Sequence, residues 1–249
     1  PQLFALLPLK MIQLAMDVDN CVTCSDASED GGGVSRSVGL TKRGMDRLEE
    51  AMADSGGKCA DELVLVEHCA GIGAARRALE VLGVRPGGHI ATEVNEAAIR
   101  TLKANFPAVE LAGDLKEFTV EKFRDCLGGC MNPKFILETA GTPCQDLSAA
   151  NASGKGLEGK RSSLFFTLEE KSQLYKEAVP EAKVARILEN VASMQKMARD
   201  VITAWRKVLP YKCCPSGKFP VRRPRFFWCD WEVPEQQGIQ IKQGEDYCS

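Results

Sequence analysis

The 249-residue chain has neither the long apolar run of a membrane-spanning protein nor the many histidines of a histidine-rich metal site. No apolar run approaches the ~18 residues of a membrane span. The early stretch "LFALLPL" has no basic region before it, so it is not typical of a signal peptide. Only two histidines are present, and the net charge of −2 gives no overall signal for nucleic-acid binding. What remains is a globular composition, 44% hydrophobic and 27% charged, long enough to bury a full core.

The eleven cysteines raise the question of a metal site or of disulfides. Cys21 and Cys24 in "CVTC" have the spacing of a zinc half-site, but no second pair stands at ribbon or finger distance. We therefore predict no metal. Many scattered thiols are more typical of a reducing compartment than of a secreted protein, so we expect an intracellular location and no membrane partner.

Positive charge is concentrated near the end of the chain. From Arg206 to Arg225 there are seven Lys or Arg residues and no Asp or Glu. Such a stretch is commonly a solvated face, and contact with phosphates is the alternative.

The amino-terminal part differs in composition from the rest. It contains "SDASEDGGGVSRS", which is typical of a flexible segment, and then the helical pattern "TKRGMDRLEEAMAD". We predict a poorly defined segment over residues 1–60, a catalytic domain over 61–232 and a polar tail over 233–249. Because Pro1 rather than Met begins the chain, we expect it to be a fragment.

From Glu62 onward, apolar runs alternate with helical periodicity. The predicted strands are "LVLVEH", "HIATEV", "VELAGD", "KFILETAG", "AKVARILEN" and a late "VRRPRFFW". The predicted helices are "AARRALEVLG", "NEAAIRTLKANF", "TVEKFRDCL", "SSLFFTLEEKSQLYKEA" and "MARDVITAWRKVL". This alternation predicts an α/β fold with a mostly parallel sheet and helices on both faces, in which ligands bind at the carboxyl ends of the strands.

Three strand ends together indicate an adenosine-containing cofactor. Gly71 and Gly73 follow the first strand and permit a tight turn close to a ligand, although packing turns look the same. Glu93 lies about twenty residues further on, where an acid can accept ribose hydroxyls. Asp114 ends the third strand, where it can meet an adenine amine. Because Arg76 stands at the third glycine position, the pattern is not that of a nicotinamide cofactor.

The next two strand ends carry a candidate nucleophile and a candidate acid. Cys144 follows Pro143, which stiffens the turn and argues against a merely buried structural cysteine. Nearby bases would favour its thiolate form. Glu189 follows the apolar "VARIL", where partial desolvation raises a carboxyl pKa and suits it to proton donation. Arg223 and Arg225 stand two residues apart, which places them on one face of a strand.

The motifs "AGIG", "TEV", "GDL", "GTPCQDLS", "ENV" and "RRPRFFW" resemble, in this order, those of the DNA cytosine-5 methyltransferases. The wording of "PCQDLSAANASGKGLEGKRSSLFF", "ENVASM" and "RPRFFW" is most similar to the de novo-type branch. The resemblance covers about Leu63 to Trp231. It implies the Rossmann-like fold of S-adenosylmethionine-dependent methyltransferases.

The resemblance also implies roles for particular residues. Cys144 matches the family's nucleophile, Glu189 its glutamate, and Arg223 and Arg225 its paired arginines. The residues that match cofactor contacts are Cys69, Ala70, Gly71, Ile72, Gly73, Glu93, Val94, Asp114, Leu115 and Leu164.

The implied activity is methyl transfer from S-adenosylmethionine to carbon 5 of cytosine in DNA. The thiolate adds to carbon 6, and the glutamate neutralises ring nitrogen 3. The target cytosine must first be flipped out of the duplex. The basic glycine loop after Cys144 would close over it against phosphate. If the organism is eukaryotic, the implied compartment is the nucleus.

Two departures from the family pattern keep other functions open. Glu67, His68 and Cys69 stand where the family has Asp-x-Phe, so the aromatic that would face adenine is missing. After Trp231 only about eighteen residues remain, and no target-recognition region is visible, as in a truncated member. The alternatives are a non-catalytic methyltransferase-like interaction module and an RNA cytosine-5 methyltransferase.

Overall fold

The computed structural model describes residues 23–28, 31–36, 58–128, 132–148, 151, 153–159, 162–214, 223–233 and 240–243. Its strands are β1 (Thr23–Ser28), β2 (Gly31–Arg36), β3 (Lys58–His68), β4 (Val84–Thr92), β5 (Glu110–Gly113), β6 (Phe135–Gly141), β7 (Lys183–Val191), β8 (Tyr211–Cys214), β9 (Arg225–Cys229) and β10 (Gln240–Gln243). Its helices are α1 (Ala74–Val81), α2 (Glu96–Asn105), α3 (Val120–Leu127), α4 (Leu164–Lys171), α5 (Leu174–Ala178) and α6 (Lys196–Arg206).

Eight of the strands form one sheet with the order β10-β8-β9-β7-β6-β3-β4-β5. Strands β3 to β7 pair with one another in parallel, whereas β9 pairs antiparallel with β7 and with β8, and β10 pairs antiparallel with β8. The chain leaves the first central strand, β3, toward β4 on one side and later returns to β6 on the other. This change of direction is the topological switch point at which open α/β sheets bind ligands.

Helices cover both faces of the sheet, because consecutive residues of a buried strand point to opposite sides. Val64 and Val66 pack with α3 and α5 on one face. Leu63 and Leu65 pack with α1 on the other. The predicted mostly parallel sheet with helices on both faces is therefore confirmed.

Polar caps set the start of two of these helices. The Asn95 side chain accepts a hydrogen bond from the Ala98 N–H at 3.0 Å, so α2 begins where the sequence predicts. Thr119 caps α3 in the same way, through the Lys122 N–H at 3.2 Å.

The structure differs from the sequence predictions at several elements. Strands β8 and β10 were not predicted, and β10 lies in what the sequence indicates is a polar tail. The predicted helix over "SSLFFTLEEKSQLYKEA" is two helices, because the Ser172 hydroxyl bonds back to the Glu169 carbonyl at 2.7 Å where α4 ends. β3 begins at Lys58, ahead of the predicted start.

Only part of the predicted poorly defined segment over residues 1–60 is among the described residues. β1 and β2 pair antiparallel, inside the stretch whose composition predicts flexibility. The predicted helix over "TKRGMDRLEEAMAD" lies outside the described residues. The division of the chain at residues 60 and 232 stays a prediction. Among the described residues, no helix has the length and apolar character needed to span a bilayer.

Part of the predicted basic stretch is not a solvated face. Arg206 is buried and pairs with Glu169 at 3.3 Å and with Asp230 at 3.1 Å. Arg186 joins the same network through Glu169 at 2.9 Å and Glu138 at 2.7 Å. These ion pairs tie α4, α6, β6 and β7 together below the strand ends that carry the candidate site.

Candidate active site

A cavity of about 340 Å³ opens at the carboxyl ends of the central strands. It brings together all four predicted catalytic residues and six of the predicted cofactor contacts. These residues are Cys144, Glu189, Arg223, Arg225, Cys69, Glu93, Val94, Asp114, Leu115 and Leu164. The same cavity is thus lined by residues as far apart in the sequence as Cys69 and Arg225, which are 156 positions from each other.

Cys144 stands in the turn that follows β6. Thr142 and Pro143 lead into it, and its main-chain carbonyl accepts the N–H groups of Leu147 at 2.9 Å and Ser148 at 2.8 Å. These bonds close a helical turn directly after the thiol. The side chain is half-buried and packs against the core cluster that contains Leu147. The turn therefore holds the thiol at the cavity wall.

Glu189, near the end of β7, pairs with Arg225, the first residue of β9. The guanidinium Nε lies 2.7 Å from Glu189 Oε1. The glutamate side chain is 27% exposed, and that exposure is to the cavity. Burial raises the pKa of Glu189, while the charges of Arg225 and Arg223 and the hydrogen bond from Arg225 act in the opposite direction. Burial is the largest effect, so the carboxyl takes up a proton more readily than an ordinary glutamate.

Arg223 lies before β9, and Pro224 separates it from that strand. It lines the cavity and lowers the pKa of Glu189 through its charge. Arg225 makes the closer contact with the carboxylate. Arg225 thus bonds Glu189 directly, whereas Arg223 acts on it through its charge. The two-residue spacing in the sequence does not show this difference.

Glu93 lies directly after β4 and is bound by three main-chain N–H groups. Gly71 donates to Oε2 at 2.8 Å, and Val94 and Asn95 donate to Oε1 at 2.9 Å each. A carboxylate offers about four lone-pair sites. Accepting both hydroxyls of a ribose would therefore require Glu93 to release one of these donors.

Cys69 occupies the wall between Glu93 and Asp114. Its backbone has φ +52°, in the left-handed region that few residues other than glycine adopt. Burial, followed by the charges of Glu93 and Asp114, raises the pKa of its thiol to about 12. Two carboxylates therefore place negative potential at this end of the cavity, and Cys69 is uncharged at neutral pH.

A second cavity of about 260 Å³ adjoins the first. Both include Cys69, Gly141, Glu189, Arg223 and Arg225 in their walls. The second is lined also by Ala70, by the start of α1 and by Glu67 and His68. The two cavities are therefore neighbours that have five lining residues in common.

Among the described residues of the turn after β3, Gly71, Ile72 and Gly73 lie outside the walls of both cavities. Gly71 acts through its bond to Glu93, and Ile72 is 50% exposed. Gly73 has φ +89°, and a Cβ there would lie 2.6 Å from the Phe106 ring. Gly73 therefore permits the close approach of the start of α1 to Leu102 and Phe106 at the end of α2, and its contact with a cofactor stays a prediction.

The loop after Cys144 folds back on Asp146. The Gly156 N–H donates to the Asp146 carbonyl at 3.0 Å. A Cβ at Gly159 would lie 2.6 Å from the Cβ of Asp146, so only glycine permits this contact. Lys155 stands exposed in the loop, and Lys160 and Arg161 lie outside the described residues. The described part of the predicted lid thus packs against Asp146, two residues after Cys144.

Sequence reasoning missed several residues of the cavity wall. They stand directly beside predicted site residues, at the same strand ends. Because ligands bind at the carboxyl ends of the strands in such sheets, every residue at these ends was a candidate, and the missed residues could have been found in this way. They are Thr92, Gly141, Thr142, Gln145 and Val191.

The chain matches the model of the C-5 cytosine-specific DNA methylase family over residues 63–210. A search of curated proteins found no match. Solved structures that resemble the chain include a mutant DNMT2 from Spodoptera frugiperda, with 22% identity over 68% of this chain and a TM-score of 0.48. The Dnmt2 methyltransferase of S. pombe shares 18% identity over 70% of this chain, with a TM-score of 0.46.

A DNA modification methyltransferase encoded within an E. coli prophage shares 20% identity over 66% of this chain, with a TM-score of 0.44. The chain spans about half the length of these structures, 50%, 50% and 45% respectively. The family match extends over more than half of the chain and includes the strand ends that carry Glu93, Asp114, Cys144 and Glu189. The chain therefore belongs to the C-5 cytosine-specific DNA methylase family.

Proposed function

We propose that the protein transfers a methyl group to carbon 5 of cytosine in DNA through a covalent adduct at Cys144. The observation that carries the proposal is the shared cavity, which holds a cysteine, a glutamate of raised pKa and an arginine pair beside two carboxylates. The wording of the motifs around Cys144 supports a place in the de novo-type branch of the family.

Family membership implies S-adenosylmethionine as the methyl donor. The residues at the Cys69 end of the cavity fit it. Glu93 keeps one acceptor position for a ribose hydroxyl, Asp114 offers an acceptor for an adenine amine, and their negative charge suits a sulfonium cation. Leu115 and Leu164 supply apolar wall. When bound, S-adenosylmethionine supplies the methyl group as an electrophile.

The chain's own residues would activate the other reactant. The Cys144 thiolate adds to carbon 6 of a flipped cytosine, and the electron pair moves toward ring nitrogen 3. Glu189 donates a proton there, and Arg225 keeps the carboxyl in place. Carbon 5 becomes nucleophilic and accepts the methyl group. Loss of the carbon-5 proton to a base then allows the Cys144–carbon 6 bond to break.

The proposal is tested with a DNA duplex whose target cytosine carries fluorine at carbon 5. Because the fluorine cannot leave as a proton, the adduct should persist as a denaturant-stable band that requires S-adenosylmethionine. Cys144→Ser should abolish the band. Glu189→Gln should slow its formation by about 100- to 10,000-fold, the usual contribution of a positioned proton donor. A band that survives in Cys144→Ser would rule out the mechanism.

The same assay separates the two alternatives. An RNA hairpin with the same fluorinated base tests the substrate, and a band on RNA alone would assign the chemistry to RNA. Calorimetry with S-adenosylmethionine tests the non-catalytic module. If neither nucleic acid gives a band and S-adenosylmethionine gives no heat of binding, the non-catalytic module replaces the proposed activity.

A further inference from the structure

A second buried polar side chain lies beside Glu189 at the end of β7. Asn190 is only 1% exposed and stands outside the described wall of the cavity, which includes its neighbours Glu189 and Val191. Its Nδ2 donates to the carbonyl and to the Oγ1 of Thr142, at 3.1 Å each. Its Oδ1 accepts the Val191 N–H at 2.8 Å. The amide is therefore committed to contacts within the protein.

The carbonyl that Asn190 holds belongs to the peptide between Thr142 and Pro143. Proline has no N–H, so this carbonyl is the only hydrogen-bonding group of that peptide. The proline ring also fixes the next φ angle. The orientation of this one peptide plane therefore sets the direction in which the chain enters Cys144.

The place of Asn190 in the sheet explains why a side chain makes this link. β6 and β7 pair in parallel as far as Gly141 opposite Glu189. β6 ends at that pair, and the regular ladder between the two strands ends with it. The Asn190 amide continues the connection by one more residue, to Thr142, where the chain turns toward Cys144 and the cavity. Buried polar groups that are fully bonded in this way fix one conformation.

We propose that Asn190 is a positioning residue, which aims the Cys144 thiol by holding the Thr142–Pro143 peptide plane while Glu189 contacts the base. This inference rests on the proposed function, because it concerns the approach of that thiol to cytosine. Asn190 touches neither substrate nor cofactor in this role. It should affect the covalent step and leave cofactor affinity alone.

The test uses Asn190→Leu, which keeps the volume and removes both donated bonds. The rate of adduct formation on the fluorinated duplex should fall by about 100-fold, as expected for a displacement of about 1 Å at a reacting atom. Affinity for S-adenosylmethionine should stay at the wild-type value. Asn105→Leu, the same change at an exposed position at the end of α2, should leave both quantities unchanged.

A wild-type adduct rate in Asn190→Leu would overturn the inference. If Asn190→Leu lowered the adduct rate and the affinity for S-adenosylmethionine by the same factor, the inference would also be overturned, because a general structural disturbance has that effect. If Asn190→Leu does not fold, Asn190→Asp replaces it, since aspartate has the same shape and cannot donate the two bonds when ionised.

A second measurement separates failure of the inference from failure of the proposed function. Iodoacetamide alkylation of Cys144, followed by peptide mass spectrometry, reports the setting of the thiol without methyl transfer. If the wild type forms no adduct, the proposed function fails, and the alkylation rate decides the inference. A rate that changes in Asn190→Leu and not in Asn105→Leu supports the positioning role, and an unchanged rate overturns it.

Discussion

Cys69 shows how one residue can set the strength of a binding site. It stands where the family resemblance places an aromatic ring, in a backbone conformation with φ +52°. Its thiol is buried, and its pKa of about 12 keeps it uncharged beside Glu93 and Asp114. A small neutral side chain at this position offers an adenine no stacking surface.

We therefore expect Cys69→Phe to tighten the binding of S-adenosylmethionine. Aromatic stacking contributes about 0.5–1.5 kcal/mol, which corresponds to a gain of up to about tenfold in affinity. Titration calorimetry measures it. Cys69→Ser is the matched control, because it fits the same space and adds no ring. Equal or weaker binding by Cys69→Phe would mean that this wall does not face the adenine.

At the scale of an element, the loop after β6 has a defined shape that its composition does not show. Its glycines and bases predict a lid that bends. In the structure, the 3₁₀ turn Gly156–Glu158 and the buried Gly159 close around Asp146, and the Gly156 N–H bonds the Asp146 carbonyl at 3.0 Å. The described part of the loop is thus anchored at Asp146, two residues after Cys144.

A methyl group at position 159 tests this anchor. We expect Gly159→Ala to lower the free energy of unfolding by about 1–3 kcal/mol, the usual cost of overpacking, because its Cβ would overlap the Asp146 side chain. In the double variant with Asp146→Gly, which removes the Cβ as well as the carboxylate, most of the loss caused by the added methyl group should return. Urea denaturation of the four proteins of the cycle measures both effects. Additive losses in the double variant would show that the two residues do not touch.

At the scale of the whole molecule, a buried histidine joins three elements behind the site. His68, the last residue of β3, bonds the Thr92 hydroxyl of β4 at 3.0 Å and the Tyr175 hydroxyl of α5 at 2.8 Å. Burial lowers its pKa to about 4, and the charge of Glu138 only partly opposes this. His68 is therefore neutral in the folded protein, where it donates from one ring nitrogen and accepts at the other.

This histidine makes stability depend on pH. Between about pH 6.5 and pH 4 the unfolded chain binds a proton at His68 and the folded protein does not. The contribution of neutral His68 to the free energy of unfolding is therefore fully present above pH 6.5 and is lost as the pH falls toward 4. The loss should amount to about 3 kcal/mol, at 1.36 kcal/mol for each pKa unit.

Urea denaturation at several pH values measures this loss. His68→Gln, which keeps a polar side chain and does not titrate, should show a correspondingly weaker decline over the same range. The same pH dependence in both proteins would contradict the buried neutral histidine.

The regular part of the fold could be predicted because its causes are local. Strands buried on both faces need continuous apolar runs, and "LVLV" and "FIL" have them. Strands β8 and β10, at one end of the sheet, carry no such pattern, since their pairing depends on main-chain groups of other strands rather than on a local apolar run. The break between α4 and α5 likewise depends on one serine hydroxyl.

By itself, the sequence determined the family, the alternation of elements, and the set of side chains at the strand ends. Each of these depends on residue type and order, which a chain carries without folding. Tertiary structure alone decided which polar groups meet: Glu93 with the Gly71 N–H, Glu189 with Arg225, and Asn190 with the peptide before Pro143. These contacts join segments that are distant along the chain, and a change of about one ångström in strand register or turn geometry would break a hydrogen bond. No local pattern specifies a distance of that kind, so only the packed fold could decide it.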